Sequence, residues 1–156
     1  MKKKTIYIFL SLIILIFAGY TIFPHVVPKY FSAKTFKNLD LEVKNLSLGN
    51  NKFEYVEGQS GEPMVFVHGF QSTKSYWVPY FKKFHNKYKV IAMDLPGHGN
   101  SSRPQNQKYS LQALSASLES FIEEKKIDNF HLIGTSMGGG IATIYAHNNP
   151  DKVKSL

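Results

Sequence analysis

The chain has 156 residues, 43% of them hydrophobic, a formal net charge of +8 and no cysteine. The length suits one domain. The missing thiols exclude disulfides, thiolate metal sites and a cysteine nucleophile. Three of the positive charges, Lys2, Lys3 and Lys4, sit together at the start and the rest are scattered, so the charge suits a solvated surface or anionic headgroups, not nucleic acid.

Residues 5–23 are uncharged and rich in Ile, Leu and Phe. Nineteen residues at a helical rise of ~1.5 Å span roughly 28 Å, close to the ~30 Å hydrocarbon core of a bilayer. The segment is expected to be a transmembrane anchor. The preceding lysines stay cytoplasmic, and the rest of the chain lies on the periplasmic or extracellular side. A cleaved signal, giving a secreted protein, is the alternative. Its apolar stretch is usually shorter, and Ala18-Gly19 falls too far inside the run for a clean cut.

Residues 24–38, with two prolines and several lysines, read as a linker, and residues 39–156 as the folded domain. Leu41, Val43, Leu46 and Leu48 suggest one strand and residues 53–56 a second, split by the turn Gly49-Asn50-Asn51. Met64-Val65-Phe66-Val67 and Val90-Ile91-Ala92-Met93 are short continuous apolar runs, the mark of strands buried on both faces. Between them Trp77, Tyr80, Phe81 and Phe84 fall at helical spacing, with Pro79 tolerated near the start. Ser110 is placed to cap a helix in which Leu111, Leu114, Leu118, Phe121 and Ile122 share a face. Phe130, Leu132 and Ile133 make a fifth strand, and a glycine-rich turn leads into a helix over 137–148, stopped by Pro150. This alternation predicts an α/β fold with a mostly parallel sheet of about five strands covered on both faces.

The chemistry concentrates at Gly134-Thr135-Ser136-Met137-Gly138, which fits G-x-S-x-G between a buried strand and a helix. A nucleophile there needs a sharp turn that lifts its hydroxyl above the sheet, and Gly134 and Gly138 leave room for the backbone. The helix start directs free amides, chiefly that of Met137, at any oxyanion formed beside Ser136. A plain flexible glycine turn is the bland alternative, but it leaves His68-Gly69-Phe70 unexplained. That segment ends the strand at residues 64–67, where Phe70 can offer a second amide. His68 itself reads as a polar residue ordering the loop.

These segments, with Asp94-Leu95-Pro96-Gly97-His98-Gly99-Asn100-Ser101 as a D-x-x-G-x-G-x-S loop, resemble the α/β-hydrolase fold family over roughly residues 39–156. Asp40-Leu41-Glu42-Val43, the HGF loop and Thr135-Ser136-Met137-Gly138-Gly139 are most similar to bacterial lipases of the Moraxella type. The resemblance implies a serine esterase or lipase needing no cofactor. Ser136 would be the nucleophile, the amides of Phe70 and Met137 the oxyanion hole, and Gly69, Gly134 and Gly138 the elbow and loop glycines. Haloalkane dehalogenases and epoxide hydrolases of this fold place Asp at the elbow, so Ser136 argues against both.

In this fold the triad runs Ser, Asp or Glu, then His along the chain. After Ser136 the only acid is Asp151, with no histidine beyond it, and His147 lies about 16 Å along the same helix. Asp94 and His98 precede the elbow and read as turn formers. The resemblance implies eight strands, whereas five are read here, with residues 152–156 where a sixth would begin. The expectation is therefore a gene fragment, a truncated reading frame or the first part of a longer hydrolase, inactive and poorly soluble alone because the strand at 130–133 would be a bare apolar edge. A non-catalytic membrane-anchored binding module on the same fold is the alternative. No lysine follows Gly138-Gly139-Gly140, which disfavours a phosphate loop, and no histidine pair has metal-ligand spacing, so no metal is expected.

Overall fold

A computed structural model describes residues 11–13, 19, 32–58 and 60–156. The expected membrane span at 5–23 lies almost wholly outside the described residues, and among those described no helix is long and apolar enough to cross a membrane. The chain divides into two compact units, Met1–Lys34 and Thr35–Leu156. In the first, residues 11–13 and 32–34 are helical. The second holds the sheet.

That sheet has six strands: β1 (Glu42–Leu48), β2 (Asn51–Glu57), β3 (Glu62–Val67), β4 (Tyr88–Met93), β5 (Phe130–Gly134) and β6 (Val153–Ser155), in the spatial order β1-β2-β4-β3-β5-β6. β1 and β2 form an antiparallel hairpin, and β2 is antiparallel to β4. The pairs β3–β4, β3–β5 and β5–β6 are parallel. Three helices serve as connections: α1 (Val78–Phe84) after a 3-10 turn at Lys74–Trp77, α2 (Leu111–Glu124), and α3 (Met137–Asn148).

The apolar runs of β3 and β4 are continuous because both of their faces are covered. Side chains alternate along a strand. Met64 and Phe66 with Val90 and Ala92 therefore face Phe36, Trp77 and Phe81, while Val65 and Val67 with Ile91 and Met93 face the opposite layer. That second layer is closed by Leu114, Leu118, Phe121 and Ile122 of α2 and by Ile141, Ala142 and Tyr145 of α3. Phe121 meets Phe53 and Tyr55 edge-on at centroid distances of 6.0 and 5.1 Å. Burying each such ring is worth ~1.5–3 kcal/mol, so the amphipathic face of α2 is a main anchor of the hairpin. Ser110 caps α2 as expected, its Oγ accepting from the Ala113 N–H at 3.3 Å.

Three expectations are corrected. The sheet has six strands, not about five: Val153–Ser155 pairs with β5, so Phe130–Gly134 is not a bare edge. Tyr80 and Leu111 do not join the core faces predicted for them. Tyr80 is exposed because α1 is short and turns only Phe81 fully inward. Leu111 is 39% exposed, its side chain set beside Gly140 of α3 and outside the buried cluster.

Candidate functional site

The parallel pairing of β3 with β5 sets Val67 opposite Gly134. The two strands therefore release their following loops side by side, and the Thr135 N–H donates to the Val67 carbonyl at 3.2 Å to hold them together. Ser136 is the single residue between the Gly134-Thr135 strand end and α3, with φ +52° and ψ −121°. A non-glycine residue in this region is strained by ~1–3 kcal/mol. The strain is locked in from both sides: the N–H groups of Gly139 and Gly140 donate to the Ser136 carbonyl at 2.9 and 3.2 Å, and Gly138 N–H donates to the Thr135 carbonyl at 2.9 Å. The Ser136 hydroxyl makes no capping bond to α3, although serine at a helix start commonly does.

The glycines explain how so tight a turn packs. A Cβ on Gly138 would lie 2.2 Å from the Val67 carbonyl oxygen, and one on Gly134 would lie 2.4 Å from that of Gly138. Any side chain at either position would force strand and helix apart. Gly69 brings the second loop against the serine: a Cβ there would sit 3.3 Å from the Ser136 Cβ. Phe70 follows directly, its ring 68% exposed and set edge-on to His98 at 6.0 Å. Among the described residues, neither the Phe70 nor the Met137 N–H is taken up by a backbone carbonyl. The amides that follow Gly69 and Ser136 are thus both left without a backbone partner among the described residues, and Gly69 packs against the strained serine.

His68 is fully buried and both ring nitrogens are committed. Nδ1–H donates to the Gly69 carbonyl at 2.8 Å, and Nε2 accepts from the Leu95 N–H at 3.0 Å. That pair of bonds requires a neutral imidazole. Burial pushes its pKa below the ordinary value, while the bond to Gly69 and the nearby Asp94 carboxylate pull the other way. The ring therefore cross-links the loop after β3 to the loop after β4, and it has no nitrogen left for proton transfer from Ser136.

A second cross-link was not visible in the sequence. Lys74, only 4% exposed, donates from Nζ to Asp94 Oδ2 at 2.7 Å and to Glu54 Oε1 at 2.6 Å, and from its backbone N–H to Asp94 Oδ1 at 2.7 Å. The Asp94 carboxylate also accepts from the Asn100 N–H, and the Ser101 hydroxyl donates to the Asp94 carbonyl at 2.6 Å. The expected turn-forming role of Asp94 is thus filled by a buried, fully bonded carboxylate.

His98 sits in a hydrogen-bonded turn, as expected, its N–H donating to the Leu95 carbonyl at 2.9 Å and its carbonyl accepting from the Ser101 N–H at 3.1 Å. It shares a cavity of about 610 Å³ with Phe70, Gln71, Thr73, Arg103, Tyr109, Leu114 and Met137. This is a volume typical of small-ligand sites. Its walls come from the loops after β3 and β4 and from the starts of α2 and α3. His147 is at the far end of α3, and Asp151 follows in the 3-10 turn Pro150–Lys152. Among the described residues no histidine or carboxylate is hydrogen-bonded to Ser136, and no group of three or more His, Asp or Glu has a metal-holding arrangement.

Residues 62–156 match the sequence profile of the alpha/beta hydrolase fold. Lipase 3 of Moraxella sp. (strain TA144) is 38% identical over 121 residues, which cover 75% of this chain and 38% of that protein. Monoacylglycerol lipase abhd6-B of Xenopus laevis is 34% identical over 123 residues, covering 76% of this chain and 36% of that one. Among solved structures, the lipase-like protein Lip1 of Acinetobacter baumannii AYE superposes with a TM-score of 0.79 at 30% identity, over 83% of this chain and 44% of its own. The chain spans less than half the length of each of these relatives.

Proposed function

Because the chain belongs to the alpha/beta hydrolase fold family, we propose that it carries the nucleophile and oxyanion hole of a serine hydrolase acting on carboxylic esters. The observation that carries the proposal is the strained Ser136 turn packed against Gly69, where the amides of the next residues, Phe70 and Met137, are taken by no backbone carbonyl among the described residues. In this reading Ser136 Oγ attacks the ester carbonyl carbon and its proton passes to a histidine base. The carbonyl oxygen, now negative, is met by the two N–H groups. Collapse expels the alcohol, which takes the proton from the base. Water then repeats the sequence on the acyl-serine and releases the acid. One such amide is worth ~3 kcal/mol of barrier.

His68 cannot be the base, since both nitrogens are bonded. We place the acid and the base in sequence corresponding to the part of the relatives that this chain does not span. The test joins the chain to the remaining C-terminal portion of the Moraxella Lipase 3 sequence. Fluorophosphonate labelling and hydrolysis of p-nitrophenyl butyrate are expected, both abolished by Ser136→Ala. Labelling that persists in Ser136→Ala would overturn the assignment.

A second reading, a non-catalytic binding module, is favoured by one observation: no described histidine or carboxylate bonds Ser136. An extended chain that binds ester analogues but never labels would support it. The lysine-flanked apolar run at 5–23 further supports attachment to a membrane, with the hydrolase part outside the cytoplasm. Retention of the chain in the pellet after alkaline carbonate extraction tests that attachment.

A further inference from the structure

The cavity beside Met137 has a lopsided charge. Among the described residues, Arg103 is the one lysine or arginine on its wall, and no acidic residue lines it. Arg103 is exposed, and one guanidinium nitrogen, Nη2, donates to the Gly99 carbonyl at 3.1 Å, a single tie to its own loop. No carboxylate lies within ion-pair distance of it among the described residues, and residues 1–31 contain no acid that could supply one. The other acids of this region are already engaged: Asp94 and Glu54 with Lys74. The rest of the wall is mixed: Gln71, Ser72, Thr73 and His98 are polar, and the other side chains are apolar or aromatic. Phe70, Tyr109, Leu114 and Met137 present rings and aliphatic surface, and the Tyr109 hydroxyl is spent on the Pro104 carbonyl at 3.0 Å.

We infer that this cavity takes a ligand with an apolar chain and an anionic head, the head paired with Arg103. On the hydrolase reading, on which this assignment of substrate class rests, the substrate is an ester carrying a phosphate or carboxylate group. Chemistry favours that occupant on two counts. A guanidinium offers a planar fork of donors that matches an oxyanion, and it is less strongly hydrated than an ammonium, so it gives up water more readily. An unpaired cation without a neighbouring carboxylate also repels a cationic head, so the cavity discriminates by sign as well as by shape.

Binding to the whole 156-residue chain tests this without any catalytic step. Octyl phosphate, octyl glucoside, octyltrimethylammonium and inorganic phosphate, all below micellar concentration, are titrated calorimetrically. Octyl phosphate is expected to bind about tenfold more tightly than the other two amphiphiles, the range for one charge-assisted hydrogen bond. Arg103→Gln should remove that preference while leaving octyl glucoside binding in place, and Arg103→Lys should keep part of it. Equal affinity for all three amphiphiles would overturn the inference. So would a preference that survives Arg103→Gln, which would trace it to the overall positive charge, or inorganic phosphate binding as tightly as octyl phosphate. Labelling of the extended chain with Ser136 intact separates the two proposals: a charge preference that Arg103→Gln removes, in a protein whose extended form never labels, leaves the ligand class standing and sinks only the hydrolase reading.

Discussion

Lys74 grips Asp94 twice, its backbone N–H on Oδ1 and its ammonium on Oδ2, both at 2.7 Å. The pair joins the turn after the HGF loop to the end of β4, inside the protein. Removing one partner of a buried ion pair strands the other, at a cost of ~3–5 kcal/mol. Lys74→Met should lose stability on that scale, and Lys74→Arg should lose less. Urea unfolding followed by the fluorescence of Trp77, the single tryptophan and itself buried, measures it. An unchanged midpoint in Lys74→Met would show the pair to be dispensable.

Neighbouring glycines of α3 should respond in opposite directions. Gly138→Ala puts a methyl 2.2 Å from the Val67 carbonyl oxygen and 2.5 Å from that of His68. Backbone cannot move aside there as a side-chain tip could, so a loss at or above the usual overpacking range of ~1–3 kcal/mol is expected. Gly139→Ala meets nothing closer than 3.8 Å and should gain up to ~1 kcal/mol, the helix preference of alanine over glycine. Thermal unfolding of the two variants side by side checks the contrast.

Ser136 should be more valuable chemically than structurally. Its φ of +52° suits glycine better than any residue with a Cβ. Ser136→Gly is therefore expected to be more stable than Ser136→Ala by on the order of 1 kcal/mol. Equal denaturation midpoints would mean the turn is relaxed as it stands.

Acid should loosen the loop junction through His68. Its folded-state pKa lies below the ordinary 6.5 because of burial. Below pH 6.5 the unfolded chain therefore binds more protons than the folded one. Stability from this group is complete above that pH and declines as pH falls toward the depressed folded value. Stability curves between pH 7.5 and 5 should show this decline. In His68→Ala it should vanish, with a pH-independent cost of ~1–3 kcal/mol for the orphaned Leu95 N–H. A decline of the same size in His68→Ala would assign it to another group.

Much of the sheet was legible because β3 and β4 are covered on both sides and so leave unbroken apolar runs. Ser110 and the α2 face were legible because a hydroxyl cap precedes residues at helical spacing. The sixth strand was not legible from its own residues, since Val153–Ser155 has one apolar residue and no periodicity, and only the resemblance put its start at 152–156. Lys74 carried no signal either, since a lysine in a polar turn looks solvated until Asp94, twenty positions on, folds over it. The turn around Ser136 was readable as a motif with flanking elements. The cavity was not, because Arg103, Tyr109 and Leu114 enter it from a loop and a helix start that only tertiary packing aligns with Met137.

The register of Val67 against Gly134 carries a kinetic implication. Gly69 and Ser136 become neighbours only after a long stretch of chain has closed on itself, since β4 and α2 lie between them in sequence. Closing a loop of that size costs entropy before any contact repays it, and parallel pairing is intrinsically slow. Ser136 and the loop that carries Gly69 and Phe70 should consequently come together in a single late event, along with the sheet's centre, and no short excised peptide around residue 136 should reproduce the arrangement.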